Sequence, residues 1–280
     1  MNFKPMKNSL RLVSMLLVLL ITIVSCEQSN DQAVVKNDNQ VSSDVLSKLT
    51  ALGFDVTDKA PFKFEGGYLV EGDIFLTDAD IASMKAGDRV PVAEQYSTNA
   101  LVTGLPRNIS VYIATTFPSI YVTALNTAIA RYNAEGLRIT LSRTTTSSGA
   151  SIRITRLAAS QENSGVLGSG GFPSGGNPYN AIQLSGILQS TYGLSANGIA
   201  TILAHEIGHC IGFRHTDYYN RAISCGGSTS NEGNGGVGAN LIPGTPSTAT
   251  LAAKSFMLAC TDGSDRPFNS ADKVALAYLY

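Results

Sequence analysis

The sequence predicts an α+β protein: a twisted, mixed, mostly parallel sheet, two long helices, a loop-rich second half, and a smaller unit in front. Three observations carry this. Asn108–Phe117, Leu137–Leu141, Ile152–Ile154 and Asn180–Ser185 read as strands, most of them alternating apolar and polar residues with the period of two of a half-buried strand. Ile120–Ala134 and the stretch from about 197 to 211 repeat apolar residues at helical spacing. Beyond Gly212 the chain is rich in glycine, serine and threonine until a last helical pattern. The 280 residues allow one sizeable domain plus a small companion. A net charge of −1 with 15% charged residues offers no basic face for nucleic acid.

At the start, Lys4, Lys7 and Arg11 precede the apolar run Leu12–Val24, which is the order of an export signal and too short for a comfortable membrane span. The run closes on Ile23-Val24-Ser25-Cys26, which resembles a bacterial lipobox. Residues 1–25 are therefore read as a lipoprotein-type signal peptide and Cys26 as the lipidated residue, the chain's one link to a membrane. Cys26 could instead be incidental to an ordinary signal. Residues 26–43 are polar and read as a flexible tether. Residues 44–100 read as a small pro-segment. It has a helix near Val45–Leu52, runs Tyr68–Val70 and Ile74–Leu76 flanking Glu71-Gly72-Asp73, and a second helix from Asp78 capped by Thr77 or Asp78. Gln95–Asn99 is expected to be a connection that a protease could reach.

The main domain, 101–280, opens on the Asn108–Phe117 strand, followed by a helix with Ser119 as cap and Gly136 as stop. Two strands follow, joined by a Thr-Ser-Gly turn. The glycine run 165–176 lacks the lysine and following helix of a phosphate loop. One more strand precedes a helix opening near Ser195 or Asn197. Asn231–Asn240 lacks the alternating acids of a calcium loop. Asn269 and Asp272 form a capping pair for a terminal helix.

All three histidines fall in one segment, Ile-Leu-Ala-His-Glu-Ile-Gly-His-Cys-Ile-Gly-Phe-Arg-His-Thr-Asp, residues 202–217. His205 and His209 are four apart and share a helix face. Gly212 can end the helix in the left-handed conformation and swing His215 back towards them. Three imidazoles with a fourth position open are the ligand count of a catalytic zinc site. Glu206 is placed to act as general base beside that position. At about 100° per residue, Ile199, Leu203, Ile207 and Cys210 lie on the face opposite the histidines, so Cys210 reads as a small buried hydrophobe.

The complete His-Glu-x-x-His-x-x-Gly-x-x-His pattern, with Met257 downstream in Ser-Phe-Met-Leu, resembles the metzincin zinc peptidases. Its wording is similar to the bacterial dual-action HEIGH metallopeptidase family over roughly Asn108–Tyr280. The resemblance implies a zincin-type fold with an active-site helix and a methionine turn at Met257, and one catalytic Zn2+ on His205, His209 and His215. It also implies an endopeptidase acting on protein or peptide substrates, with Glu206 as base. Gly168–Pro173 would then border the cleft near an edge strand, with a plain surface loop as the alternative. Some metzincins carry a tyrosine ligand two residues after the turn methionine. Ala259 stands there in this chain, so Tyr218 and Tyr219 are candidates for that task by proximity alone. The alternative is a non-catalytic surface binding lipoprotein that keeps the fold. The protein is expected to be a monomer, exported and lipid-anchored at an outer membrane or cell surface, or secreted after processing.

With Cys26 lipidated, three cysteines remain. Cys225 with Cys260 is the favoured disulfide, and Cys210 with Cys225 the competitor. Val70-Glu71-Gly72-Asp73-Ile74 resembles the Phe-Glu-Gly-Asp segment of astacin propeptides, with Val70 in place of phenylalanine. There the aspartate takes the zinc position meant for water, which would make Asp73 a latency ligand. The same residues are also an ordinary hairpin turn.

Overall fold

The computed structural model describes residues 39–57, 59–84, 95–233 and 236–280; the expected signal sequence (1–25), Cys26 and the expected tether (26–43) as far as residue 38 lie outside them. Ser42 caps α1 (Ser43–Leu52) and Gly53 ends it at φ 97°. Strands β1 (Phe62–Phe64), β2 (Gly67–Val70) and β3 (Ile74–Leu76) form an antiparallel sheet in which Val70 faces Ile74 across the turn Glu71-Gly72-Asp73. Helix α2 (Asp78–Ser83) begins with a reciprocal capping box between Thr77 and Asp80. Leu49, Leu52, Phe54, Val70, Ile74, Leu76 and Ile81 bury one another and reach Phe172 of the main domain. Phe64 and Leu69 share a second cluster with Leu157 and Val166. This N-terminal unit is thus docked by apolar burial, the dominant favourable term in such contacts.

The main sheet is built from β5 (Arg107–Ile113), β6 (Ile139–Thr144), β7 (Ile152–Arg156), β8 (Gly168–Ser169) and β9 (Ala181–Leu184), in the order β6-β5-β7-β9-β8. Every pair is parallel except β8 with β9, so the sheet is mixed with one antiparallel edge strand, as expected. Before β5 comes β4 (Tyr96–Ser97). The helices are α3 (Ser119–Ala134), α4 (Ala159–Asn163), α5 (Ala196–Ile211), α6 (Ala222–Cys225) and α7 (Ser270–Leu279), with β10 (Asn240–Leu241) before α7. Ser119 is the first residue of α3 rather than its cap. Pro118 holds the cap position without a side-chain bond.

Helix α5 is buried on every side from Gly198 to Ile211. Its apolar face, Ile199, Leu203, Ile207 and Cys210, joins the core with Ile109, Val111 and Leu125. Tyr132 of α3 donates to the Ala204 carbonyl at 2.8 Å. Only the histidine face is left to the cleft.

The expectation of an accessible connection at Gln95–Asn99 is corrected. Gln95, Tyr96, Ser97 and Thr98 are buried, β4 pairs with β10, and the Thr98 amide donates to the Gly212 carbonyl at 2.8 Å. Gln95 Nε2 donates to Ser255 and to Asp272. Gln95 to Thr98 therefore pack as part of the main domain and are not a connection open to a protease.

Candidate active site

Ser195 caps α5 by accepting from the Gly198 amide. Gly212 ends the helix at φ 109°, which a side chain would strain, and a Cβ there would also lie 2.7 Å from Leu101. That left-handed residue turns the chain so that His215 comes back to the helix face. The Nε2 atoms of His205 and His209 stand 3.0 Å apart, and those of His209 and His215 3.2 Å apart. On the far side of each ring the Nδ1 meets an acceptor: the Phe256 carbonyl for His205, the Phe213 carbonyl for His209, both at 2.9 Å, and Glu232 Oε1 for His215 at 2.6 Å. These partners assign the proton to Nδ1 in each ring. Three Nε2 lone pairs then converge on one point with no donor among them, an arrangement that a cation satisfies and a hydrogen-bond network does not. The residues present therefore fit a zinc ion.

Asp73 supplies a fourth donor. Its Oδ2 lies 3.0 Å from His215 Nε2 and 3.6 Å from His205 Nε2, and the four donor atoms all fall within 4.8 Å of one another. The hairpin turn is real and so is its approach to the histidines: Glu71 (φ 57°) and Gly72 (φ 100°) are both left-handed, and the bend they make carries the next carboxylate inward. The turn is held in place by backbone pairing to the cleft edge. The Gly170 amide donates to the Asp73 carbonyl at 3.1 Å and the Phe75 amide to the Gly170 carbonyl at 3.0 Å. Arg221 also donates to the Glu71 carbonyl at 2.8 Å.

Glu206 is 2% exposed and its Oε2 has no partner among the described residues. Burial, and then the Asp73 charge, push its carboxyl well above the usual range. The glycines of the edge strand let the backbone approach it: a Cβ at Gly168 would stand 2.6 Å from Glu206 Oε1, and one at Gly170 3.0 Å from its carbonyl. Without a metal ion, burial and the neighbouring rings hold His209 low, while His215, which burial would lower, is pushed up to about 10 by Asp73 and Glu232; a cation on the three Nε2 atoms would take the place of that added proton.

Met257 is fully buried beneath the histidines, and a Cβ at Gly208 would meet its Sδ at 2.5 Å, so this glycine admits the methionine turn. The turn is fixed from both ends. The Thr216 amide donates to the Met257 carbonyl at 2.8 Å, and Ser255 Oγ donates to Asp272 Oδ1 at 2.7 Å. Asp217 accepts from the Ala259 amide at 2.9 Å and from Ser224. Cys225 and Cys260 form a disulfide beside it, and Cys210 is free and buried, its thiol pushed up by burial.

Glu232 was not singled out from the sequence. It lies in the glycine-rich stretch 231–240, is fully buried, and is held by Arg214 and by Arg221, the latter at 3.0 Å. Its carboxyl is depressed to about 2: burial opposes this, but His215 and the two guanidinium groups outweigh it. The only advance signal is chemical, since a ligating histidine calls for an acceptor behind it. Tyr218 and Tyr219 are not brought to the site. The Tyr218 ring packs edge-on against Tyr96 at 4.3 Å, the Tyr219 hydroxyl accepts from the Ala249 amide, and neither lines the cavity beside Glu206.

Among solved structures the chain is similar to myroilysin, at 16% identity over 70% of this chain and 95% of that one with a TM-score of 0.38. A second myroilysin structure matches at 16% identity over 41% of this chain and 45% of that one, with a TM-score of 0.31. High choriolytic enzyme 1, a hatching enzyme zinc-protease from Oryzias latipes (medaka fish), matches at 15% identity over 60% and 85%, with a TM-score of 0.31. No match is found among curated proteins. The model of the dual-action HEIGH metallo-peptidase family matches residues 68–280, so the chain belongs to that family and is a metallopeptidase.

Proposed function

We propose that the protein is made as a latent peptidase in which Asp73 holds the fourth ligand position, and that once the pro-segment leaves, Glu206 serves as the proton carrier for peptide hydrolysis. The observation that supports this is the meeting of three Nε2 atoms and the Asp73 carboxylate at one point, with the buried Glu206 lining the same cavity as Asp73 and His205. His205, His209 and His215 would hold the zinc, which supplies a Lewis acid for the scissile carbonyl and lowers the pKa of water. Glu206 takes the proton of the attacking water and delivers it to the leaving amide nitrogen. Met257 floors the site without binding metal. Peptide substrate pairs with the edge strand that now pairs with Asp73–Phe75. Mature protein, freed of residues before Gln95, should cleave an unfolded protein. A chelator should abolish the cleavage and added Zn2+ restore it; turnover that survives metal removal, verified by metal analysis, refutes the metallopeptidase reading.

We further propose export with lipid on Cys26, supported by the signal pattern and the small residue before the cysteine. Cys26→Ser should release the protein or leave it unprocessed. A native protein found wholly soluble outside the cell contradicts this.

A further inference from the structure

Beside Glu206 lies a cavity of about 240 Å³ that runs along the first half of α5, past Thr201 and Ile202. Leu167 and Leu258 give it apolar walls, and Arg266 also lines it. Arg266 is 2% exposed. Its Nη1 donates to the Cys260 carbonyl at 3.0 Å and its Nη2 to Asp262 Oδ1 at 3.1 Å, while Nε has no partner among the described residues. A buried guanidinium with an idle donor is costly unless something completes it. Asp262 neutralises it only in part, because that side chain is more than half exposed and its charge is screened by water. The other basic group at the cavity, Lys59, belongs to the pro-segment, lies against Gly72 and leaves with it.

We infer that this cavity receives the side chain of the substrate residue that supplies the leaving nitrogen, and that Arg266 makes it select an acidic one. The inference rests on the peptidase reading above. Glu206 must reach the leaving nitrogen to protonate it, so the residue carrying that nitrogen lies against Glu206, and its side chain has this cavity as the space beside it. The apolar walls accept the methylenes of Glu or Asp, and the guanidinium meets the carboxylate in a setting where charge-assisted bonds are strong. Arg266 therefore sets specificity and takes no part in the proton transfer.

The test uses mature enzyme and quenched peptides with amidated C-termini, identical except for Glu, Gln, Leu or Lys directly after the scissile bond. Amidation leaves the side chain as the carboxylate under test. Native enzyme should cleave the Glu peptide about 10- to 100-fold better in kcat/KM than the isosteric Gln peptide. Arg266→Met should erase that ratio and move the preference from the Glu towards the Leu peptide, and Arg266→Lys should keep part of it. Equal cleavage of Glu and Gln peptides by native enzyme overturns the assignment even if Arg266→Met fails to fold, and leaves the peptidase reading standing. A preference that persists in a folded Arg266→Met variant overturns it too. Absence of cleavage of all four peptides, with zinc bound and the unfolded-protein substrate also intact, refutes both.

Discussion

Glu206→Ala is expected to lower kcat/KM of the mature protein on an unfolded substrate by about 10²–10⁴-fold, the contribution of a positioned general base. The loss should come with zinc content and melting temperature close to native. Two features separate the catalytic loss from a structural one. Glu206 is not one of the four donors, so its removal leaves the three Nε2 atoms and their acceptors in place. Its Oε2 also has no partner among the described residues, so truncation strands no bonded neighbour of that atom and removes a carboxyl that burial already disfavours. Metal analysis, thermal unfolding and initial rates on one preparation check all three points. A variant as active as native would remove Glu206 from the mechanism.

The second large effect is expected in the precursor. Asp73→Ala in the full chain should raise cleavage of a small peptide, or self-processing before Gln95, by about 10- to 100-fold over the native precursor. That is the factor for losing one charge-assisted contact of about 1.5–3 kcal/mol. The pro-segment should remain folded, because its docking rests mainly on the apolar clusters around Val70, Ile74 and Phe64 and on the pairing of Phe75 with Gly170. Activity should still fall short of the mature form, since that pairing continues to cover the edge strand. Asp73→Asn, which keeps the size and loses the charge, should lie between. A folded Asp73→Ala precursor as silent as native would make Asp73 a turn residue only.

Helices α1, α3, α5 and α7 and four of the five strands of the main sheet were legible because local periodicity and caps such as Ser42, Ser195 and Asn269 report on their own neighbourhoods; β8, two residues inside a glycine run, carries no such pattern. The histidine cluster was legible because its members lie within eleven residues, 205–215: helix geometry relates His205 to His209, and the glycine at 212 signals the turn that returns His215. What was not legible depends on contacts between distant segments. Gln95 looks like a linker residue, and only β10 and Asp272 make it a buried one. Glu232 sits between Asn231 and Gly233 in what reads as a plain loop, and its role appears once Arg214, Arg221 and His215 gather round it. The same holds for Arg266, whose importance comes from a cavity that no sequence pattern describes. Hairpin and latency readings of Glu71-Gly72-Asp73 looked like rivals from sequence; in the structure the turn geometry is what places the carboxylate.

The bond from Gln95 to Asp272 joins residues 177 apart, and the one from Thr98 to the end of α5 joins residues 114 apart. Closing a loop of the first length costs about 4–5 kcal/mol of chain entropy from its length alone. Contacts of such separation slow folding and are secured only after local structure has formed. The first segment of the main domain is therefore among the last to be fixed in place. Because Asp272 also holds Ser255 and the Phe256 amide, the methionine turn gains its support from a helix made after it. A growing chain can build the helix that carries His205 and His209 early, yet the turn at Met257 lacks its support until α7 exists. The order of synthesis itself thus delays a finished site.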